Sequence, residues 1–173
     1  MHNLNFLEKL LFQFSMGVTL TFSAIAQTPF EKLLDDIYKN TVPLVKPGEL
    51  NDLMQNDEKL ILLDTRTLKE FQVSHLRNST WVGYDSFGES KILHLEKDAK
   101  IVVYCAVGYR SERIGEKLLS MGFTDVQNLY GGIFEWKNQD GTVVDENGIT
   151  TDSVHTYSEA WSKWLKKGIK VYE

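Results

Sequence analysis

The chain of 173 residues has one cysteine, three prolines and four histidines, and its 19 lysines and arginines are outnumbered by 24 aspartates and glutamates. A single cysteine forms no internal disulfide, gives thiol–disulfide exchange no resolving partner and builds no zinc cluster. Neither His75 nor His94 has a partner at metal-ligand spacing, so no metal and no other cofactor is expected. A net charge of −5 without basic clusters argues against a nucleic-acid partner, and any anionic substrate must be attracted locally. Long apolar runs are also missing. The best, residues 10–26, is short for a bilayer and broken by Gln13, Ser15, Gly17, Thr19, Thr21 and Ser23.

That run ends in Ala24, Ile25 and Ala26, the small-residue spacing of a signal-peptidase site, so residues 1–26 read as a signal peptide and the protein as periplasmic or secreted. Its positive start is weak, Lys9 and the terminal amine being offset by Glu8. An uncleaved membrane anchor and an apolar first helix are the alternatives, and a membrane is a partner only if the segment is retained. No cysteine near the cut means no lipoprotein anchor. An apolar content of 42% and an aromatic content of 12% suit one compact domain with a full core.

The informative stretch is residues 101–121, IVVYCAVGYRSERIGEKLLSM. Ile101, Val102, Val103 and Tyr104 are β-branched or aromatic without alternation, which predicts a central strand covered on both faces. From Arg110 onward Ile114, Leu118 and Met121 share one helical face. The turn between strand and helix is thus residues 105–109, at the carboxyl end of a central strand, where open α/β sheets place their ligands. Amides turned inward by Gly108, the amino end of the helix and Arg110 all favour an anion there and favour Cys105 as thiolate. A lone cysteine is commonly an inert core residue. Strand end, glycine turn, arginine and helix start together outweigh that reading, and a cation in the first turn of a helix, against the helix dipole, suggests purpose.

The loop Cys105, Ala106, Val107, Gly108, Tyr109, Arg110, Ser111 resembles the active-site loop of rhodanese-type sulfurtransferases, with glycine three residues after the cysteine, arginine five residues after it, and serine next. Leu62 to Arg66, Glu70-Phe71, His75-Leu76, and Asn128 to Ile133 with Trp136 resemble further landmarks of that family in the same order, over residues 47–136. The resemblance implies that Cys105 takes a sulfane sulfur from a donor such as thiosulfate, mercaptopyruvate or polysulfide. It would hold the sulfur as a persulfide and pass it to a thiol or a cyanide-type acceptor. Residues 106–111 would form the persulfide-binding loop, with Asp64 and Arg66 in support. Thiosulfate users of the family often carry arginine directly after the cysteine, where this chain has Ala106.

The remaining chain is read around that loop. Thr28, Pro29 and Glu31 cap a first helix with Phe30, Leu33, Leu34 and Ile37 on one face, and Lys46-Pro47-Gly48 opens a second with Leu50, Leu53 and Met54. Strands are expected at 60–63, 80–82 and 126–129, a capped helix from Thr67, a loop and helix over 84–95, and a helix at 133–138. Asp64 reads as a loop brace, His75 as a hydrogen-bonded structural residue, His94 as surface and Trp136 as core. Alternating strands and helices require parallel pairing and a three-layer α/β/α sandwich; a five-stranded, mainly parallel sheet follows from the resemblance. Residues 27–46 are a helical extension and 47–138 the rhodanese-like domain. Residues 139–173 read as a hairpin about Asn147-Gly148, then a helix whose stripe of Tyr157, Ala160, Trp161, Trp164 and Leu165 packs on the domain, the alternative being a partner or donor groove at the border of the site. Two rivals stand beside sulfur transfer: a cysteine-dependent phosphatase, disfavoured by a loop one residue short, and a rhodanese-like binding module without turnover.

Overall fold

A computed structural model describes residues 26–172. The expected signal peptide or anchor, apart from Ala26, lies outside the described residues. Within them no helix is long and apolar enough to cross a membrane.

Helix α1 (Pro29–Ile37) begins on a capping box: the Thr28 side chain accepts from the Glu31 N–H, and Glu31 Oε2 accepts from the Thr28 N–H at 2.7 Å. Strand β1 (Leu44–Val45) leads into α2 (Pro47–Asn56), with proline again in the first turn. Next come β2 (Ile61–Asp64), α3 (Leu68–Val73), β3 (His75–Leu76) and β4 (Thr80–Trp81). The helix expected within 84–95 is a single 3₁₀ turn, Glu89–Lys91. Then β5 (Lys100–Tyr104), α4 (Tyr109–Ser120), β6 (Asp125–Leu129) and α5 (Gly132–Asn138) complete the alternation.

Five strands form one sheet in the order β1-β6-β5-β2-β4, and every neighbouring pair is parallel. Strand β5 is the middle one, in register with β2 through Val103 and Leu63 and with β6 through Val103 and Asn128. Its side chains divide between two cores. Val102 and Tyr104 pack with Phe30, Leu34, Leu50, Ile133 and Phe134 on one face, while Ile101 and Val103 pack with Ile114 and Leu118 of α4 on the other. Hence the run shows no alternation, because both faces are dry. Each of those four side chains, fully buried, contributes about 1.5–3 kcal/mol of hydrophobic stabilisation. Helices on both faces complete the three-layer sandwich.

The tail differs in detail from its sequence reading. The hairpin exists, with β7 (Val143–Val144) paired antiparallel to β8 (Thr150–Thr151), and β3 adds to its other side through His75 and Leu76. Beyond it, β9 (Ser153–His155) and β10 (Ile169–Val171) pair in parallel. The aromatic helix shrinks to one turn, α6 (Glu159–Ser162), so its residues share no single stripe. Leu165 is core and Trp164 stacks on Phe30 with ring centroids 5.5 Å apart, whereas Ala160 and Tyr157 are exposed.

Candidate active site

Strand β5 ends at Tyr104, and the next residue, Cys105, is 1% exposed on a cleft of about 540 Å³. The chain must reverse there for α4 to leave the sheet edge. Gly108, with φ at +95°, makes the reversal and brings its own N–H to Cys105 Sγ at 3.1 Å. A Cβ on Gly108 would lie 2.0 Å from the Tyr38 hydroxyl. That hydroxyl donates to the Val107 carbonyl at 2.7 Å and accepts from the Gly131 N–H at 2.9 Å, tying the end of α1 to the loop and to the turn before α5. Asn128 Nδ2 donates to the Gly108 carbonyl at 3.0 Å, while its Oδ1 accepts from Ser111 Oγ at 2.7 Å. The Cys105 and Ala106 carbonyls accept from the Ile133 and Phe134 N–H groups at 2.9 and 3.1 Å. All four carbonyl oxygens of residues 105–108 are thus committed to donors, which keeps those negative ends off the thiol.

Arg110 is clasped. Its Nη2 donates to Glu70 Oε1 at 2.8 Å and its Nη1 to Glu70 Oε2 at 3.0 Å. Glu70 also caps α3, accepting from the Thr67 N–H and hydroxyl at 2.9 Å each. Burial pushes the Glu70 carboxyl up, but the Arg110 hydrogen bonds and charge outweigh it and bring the group down to about 2. Burial likewise opposes the charge on Arg110; the Glu70 bonds and the neighbouring Cys105 more than offset it and hold the guanidinium protonated. Beneath lies a second, wholly buried pair: Arg66 Nη2 donates to Asp64 Oδ2 and to the Ser74 carbonyl, each at 2.6 Å. The Arg66 carbonyl accepts from Trp81 Nε1 at 2.9 Å.

Of the residues singled out from the sequence, Cys105, Val107, Tyr109 and Arg110 line the cleft. Gly108 reaches it through its amide. Ser111 turns away to Asn128, and Asp64 and Arg66 brace α3 and β4 one layer back. His75 has Nδ1 3.0 Å from the Phe71 carbonyl and stacks on Phe71 at 3.8 Å. Other residues the sequence reading did not place at the site belong to it: Tyr38, Glu70 and Asn128 hold the loop and its arginine, and Ile37, Thr67, Tyr84 and Asp85 line the cleft. Glu70 carries a visible signal, since a capping carboxylate four residues after a buried arginine is poised to meet a second cation. Tyr157 and Trp161 line the cleft from the tail, and the Arg110 guanidinium carbon lies 5.8 Å from the Tyr157 ring centroid.

The fold and the site define an open, parallel α/β domain with a thiol at the carboxyl end of its central strand, capped by a loop amide at a helix start. Residues 46–139 match the rhodanese-like domain family, and the chain belongs to it. The adenylyltransferase and sulfurtransferase UBA4 of Candida albicans is 32% identical over 101 residues, covering 54% of this chain and 23% of that protein. The tRNA uridine(34) hydroxylase of Cytophaga hutchinsonii is 31% identical over 110 residues, 61% of this chain and 35% of that one. The chain thus spans about a quarter to a third of the length of these curated relatives. The fold is shared with the rhodanese-like domain of Anabaena, at a TM-score of 0.56 and 23% identity over 60% of this chain and 79% of that one. It is shared too with the thiosulfate sulfurtransferase of Pseudomonas aeruginosa, at 0.59 and 18% over 79% of this chain and 26% of that one. Both likenesses concern the fold alone.

Proposed function

We propose that this protein is a sulfurtransferase in which Cys105 carries a sulfane sulfur from a small donor to a thiophilic acceptor. The observation that supports this most is the Gly108 N–H aimed at Cys105 Sγ at 3.1 Å on an open cleft. In the first half-reaction the Cys105 thiolate attacks the outer sulfur of the donor. A new S–S bond forms, and the bond joining that sulfur to the rest of the donor breaks, its electron pair leaving with the departing group. The persulfide then bears its charge on the terminal sulfur, where a fixed amide dipole stabilises it without reorganisation. An acceptor such as a thiolate or cyanide attacks that terminal sulfur and releases the Cys105 thiolate, so no metal or redox cofactor is consumed.

Phosphate ester chemistry is the weaker reading, because a phosphate dianion would meet a guanidinium already balanced by Glu70. Incubation with thiosulfate, mercaptopyruvate or polysulfide, followed by intact-protein mass measurement, is expected to show one added sulfur atom. The addition should be absent in Cys105→Ala and removed by cyanide as thiocyanate. No adduct from any of these donors would refute the reading. An exported location belongs to the same proposal, supported by the apolar run and small-residue site at 10–26; amino-terminal sequencing of protein from the cell envelope should begin at Gln27.

A further inference from the structure

The cleft over Cys105 is bordered in part by residues outside the 46–139 match: Ile37 from the end of α1, and Tyr157 and Trp161 from the tail. Tyr157 is 58% exposed, yet its backbone sits at φ +65°, a left-handed region that a side chain of this size rarely adopts. The conformation is pinned by the Tyr157 N–H donating to Nδ1 of buried His155 at 3.0 Å and by the Ser158 N–H donating to the Thr156 carbonyl at 2.7 Å. A strained residue held this way, with its ring out of the core and facing the guanidinium beside the thiol, marks a functional position.

Size and charge together define what the cleft fits. A volume of about 540 Å³ is that of a site for a small organic molecule and exceeds what an inorganic anion fills. Arg110 is the single cation among the described residues lining it, and Glu70 already balances that charge; Asp85 adds a negative one. A dianion would therefore meet no uncompensated positive charge, whereas a monoanion brings one negative charge fewer into a cleft with none to spare.

Resting on the sulfur-transfer reading above, we infer that the donor is an organic sulfane-sulfur compound, with one negative charge on the transferred sulfur and an apolar, ring-sized body seated against Tyr157 and Trp161. For a thiosulfonate, the Cys105 thiolate attacks the sulfane sulfur, the Cys105 persulfide forms, the sulfur–sulfonyl bond breaks and its electron pair leaves with the sulfinate. Two anions become two anions, with no proton or external electron required.

The test compares benzenethiosulfonate with thiosulfate as donor to the full chain, scoring persulfide by mass and kcat/KM by sulfinate or sulfite release. Benzenethiosulfonate is expected to be preferred by about ten-fold or more, the worth of burying a ring. Tyr157→Gly accommodates the left-handed backbone without strain and removes the ring together with its Cβ; Trp161→Ala removes the second surface. Each is expected to erode the preference several-fold through KM, with kcat for benzenethiosulfonate little changed. Calorimetric binding of benzenethiosulfonate to Cys105→Ser and to Cys105→Ser with Tyr157→Gly reads the same contact without turnover, and the second protein should bind several-fold more weakly. Equal use of thiosulfate, or a preference that neither substitution moves, overturns this inference while the persulfide adduct leaves sulfur transfer standing. No adduct from either donor overturns both.

Discussion

Arg110 and Glu70 face each other through two hydrogen bonds of 2.8 and 3.0 Å, so the loop cation is held in place and neutralised by the same contact. The consequence is a cradle with directional donors and little net charge. Glu70→Gln should leave Arg110 half-buried, positive and without its carboxylate. Urea unfolding is expected to show a loss of about 3 kcal/mol, the usual result of removing one partner of a buried pair. Thiosulfate should gain on benzenethiosulfonate as donor in the same variant. A donor ratio identical to the parent would show that charge balance at Arg110 does not govern donor choice.

Acid should destabilise the fold in two windows. His155 is held below its ordinary 6.5, chiefly by burial, with Glu70 pulling it up and Arg66, Lys69 and Arg110 pushing it down. A histidine kept neutral in the native state contributes stability above pH 6.5 that is lost as pH falls through its lowered value. Glu70, brought from 4.5 to about 2, contributes stability above pH 4.5 that is lost on the way to pH 2, worth about 3 kcal/mol in all. Denaturation midpoints measured from pH 7 to pH 3 should show both declines. His155→Phe should abolish the first, and Glu70→Gln should shrink the second without removing it, because Glu112, despite its burial, and Asp57 are also held below their ordinary values by their hydrogen-bond and charge partners.

Two glycines with left-handed backbones should respond differently to one methyl group. Gly122, at φ +89°, has open space where a Cβ would go, so Gly122→Ala should cost only the conformational strain, about 1–2 kcal/mol. At Gly132, φ +57°, a Cβ would lie 2.4 Å from the Cys105 carbonyl oxygen and 2.7 Å from that of Ala106. Those are backbone atoms of the active loop with no side-chain freedom to yield. Gly132→Ala should therefore cost clearly more than Gly122→Ala in thermal unfolding and depress sulfur transfer, while Gly122→Ala keeps parental turnover.

The elements visible in the sequence were those whose signal is local. The unbroken apolar run at 101–104 announced a strand buried on both faces, and Thr28 with Glu31 and Thr67 with Glu70 announced helix starts at the observed positions. The strand-end position of Cys105 and the turn at Gly108 followed from that alternation. What escaped were partnerships across the chain. Tyr38 meets Val107 and Gly131 over separations of 69 and 93 residues, and Glu70 meets Arg110 over 40, distances at which periodicity carries no information. The tail misled for another reason: Trp161 to Leu165 has helical spacing, yet Gly168 and the β9–β10 pairing pull the chain into a strand and leave one helical turn.

The longest of these partnerships yields the sharpest test of the loop. Tyr38 stands just beyond α1, outside the 46–139 match, and its hydroxyl is the only side-chain group among the described residues bonded to both the Val107 carbonyl and the Gly131 N–H. Burial pushes its own ionisation far up, so it serves as a neutral donor and acceptor at every ordinary pH. Tyr38→Phe keeps the ring and removes one oxygen, leaving a carbonyl and an N–H unpaired in a dry place, at a cost of about 1–3 kcal/mol. Because the freed carbonyl belongs to the loop that presents the Gly108 amide, the variant should lose kcat for sulfur transfer more than it raises KM. Its Cys105 should be alkylated by iodoacetamide at a changed rate while far-ultraviolet circular dichroism stays parental. Unchanged turnover and alkylation would mean that the loop holds its shape through Asn128 and α5 alone, and that α1 serves only to cover the core.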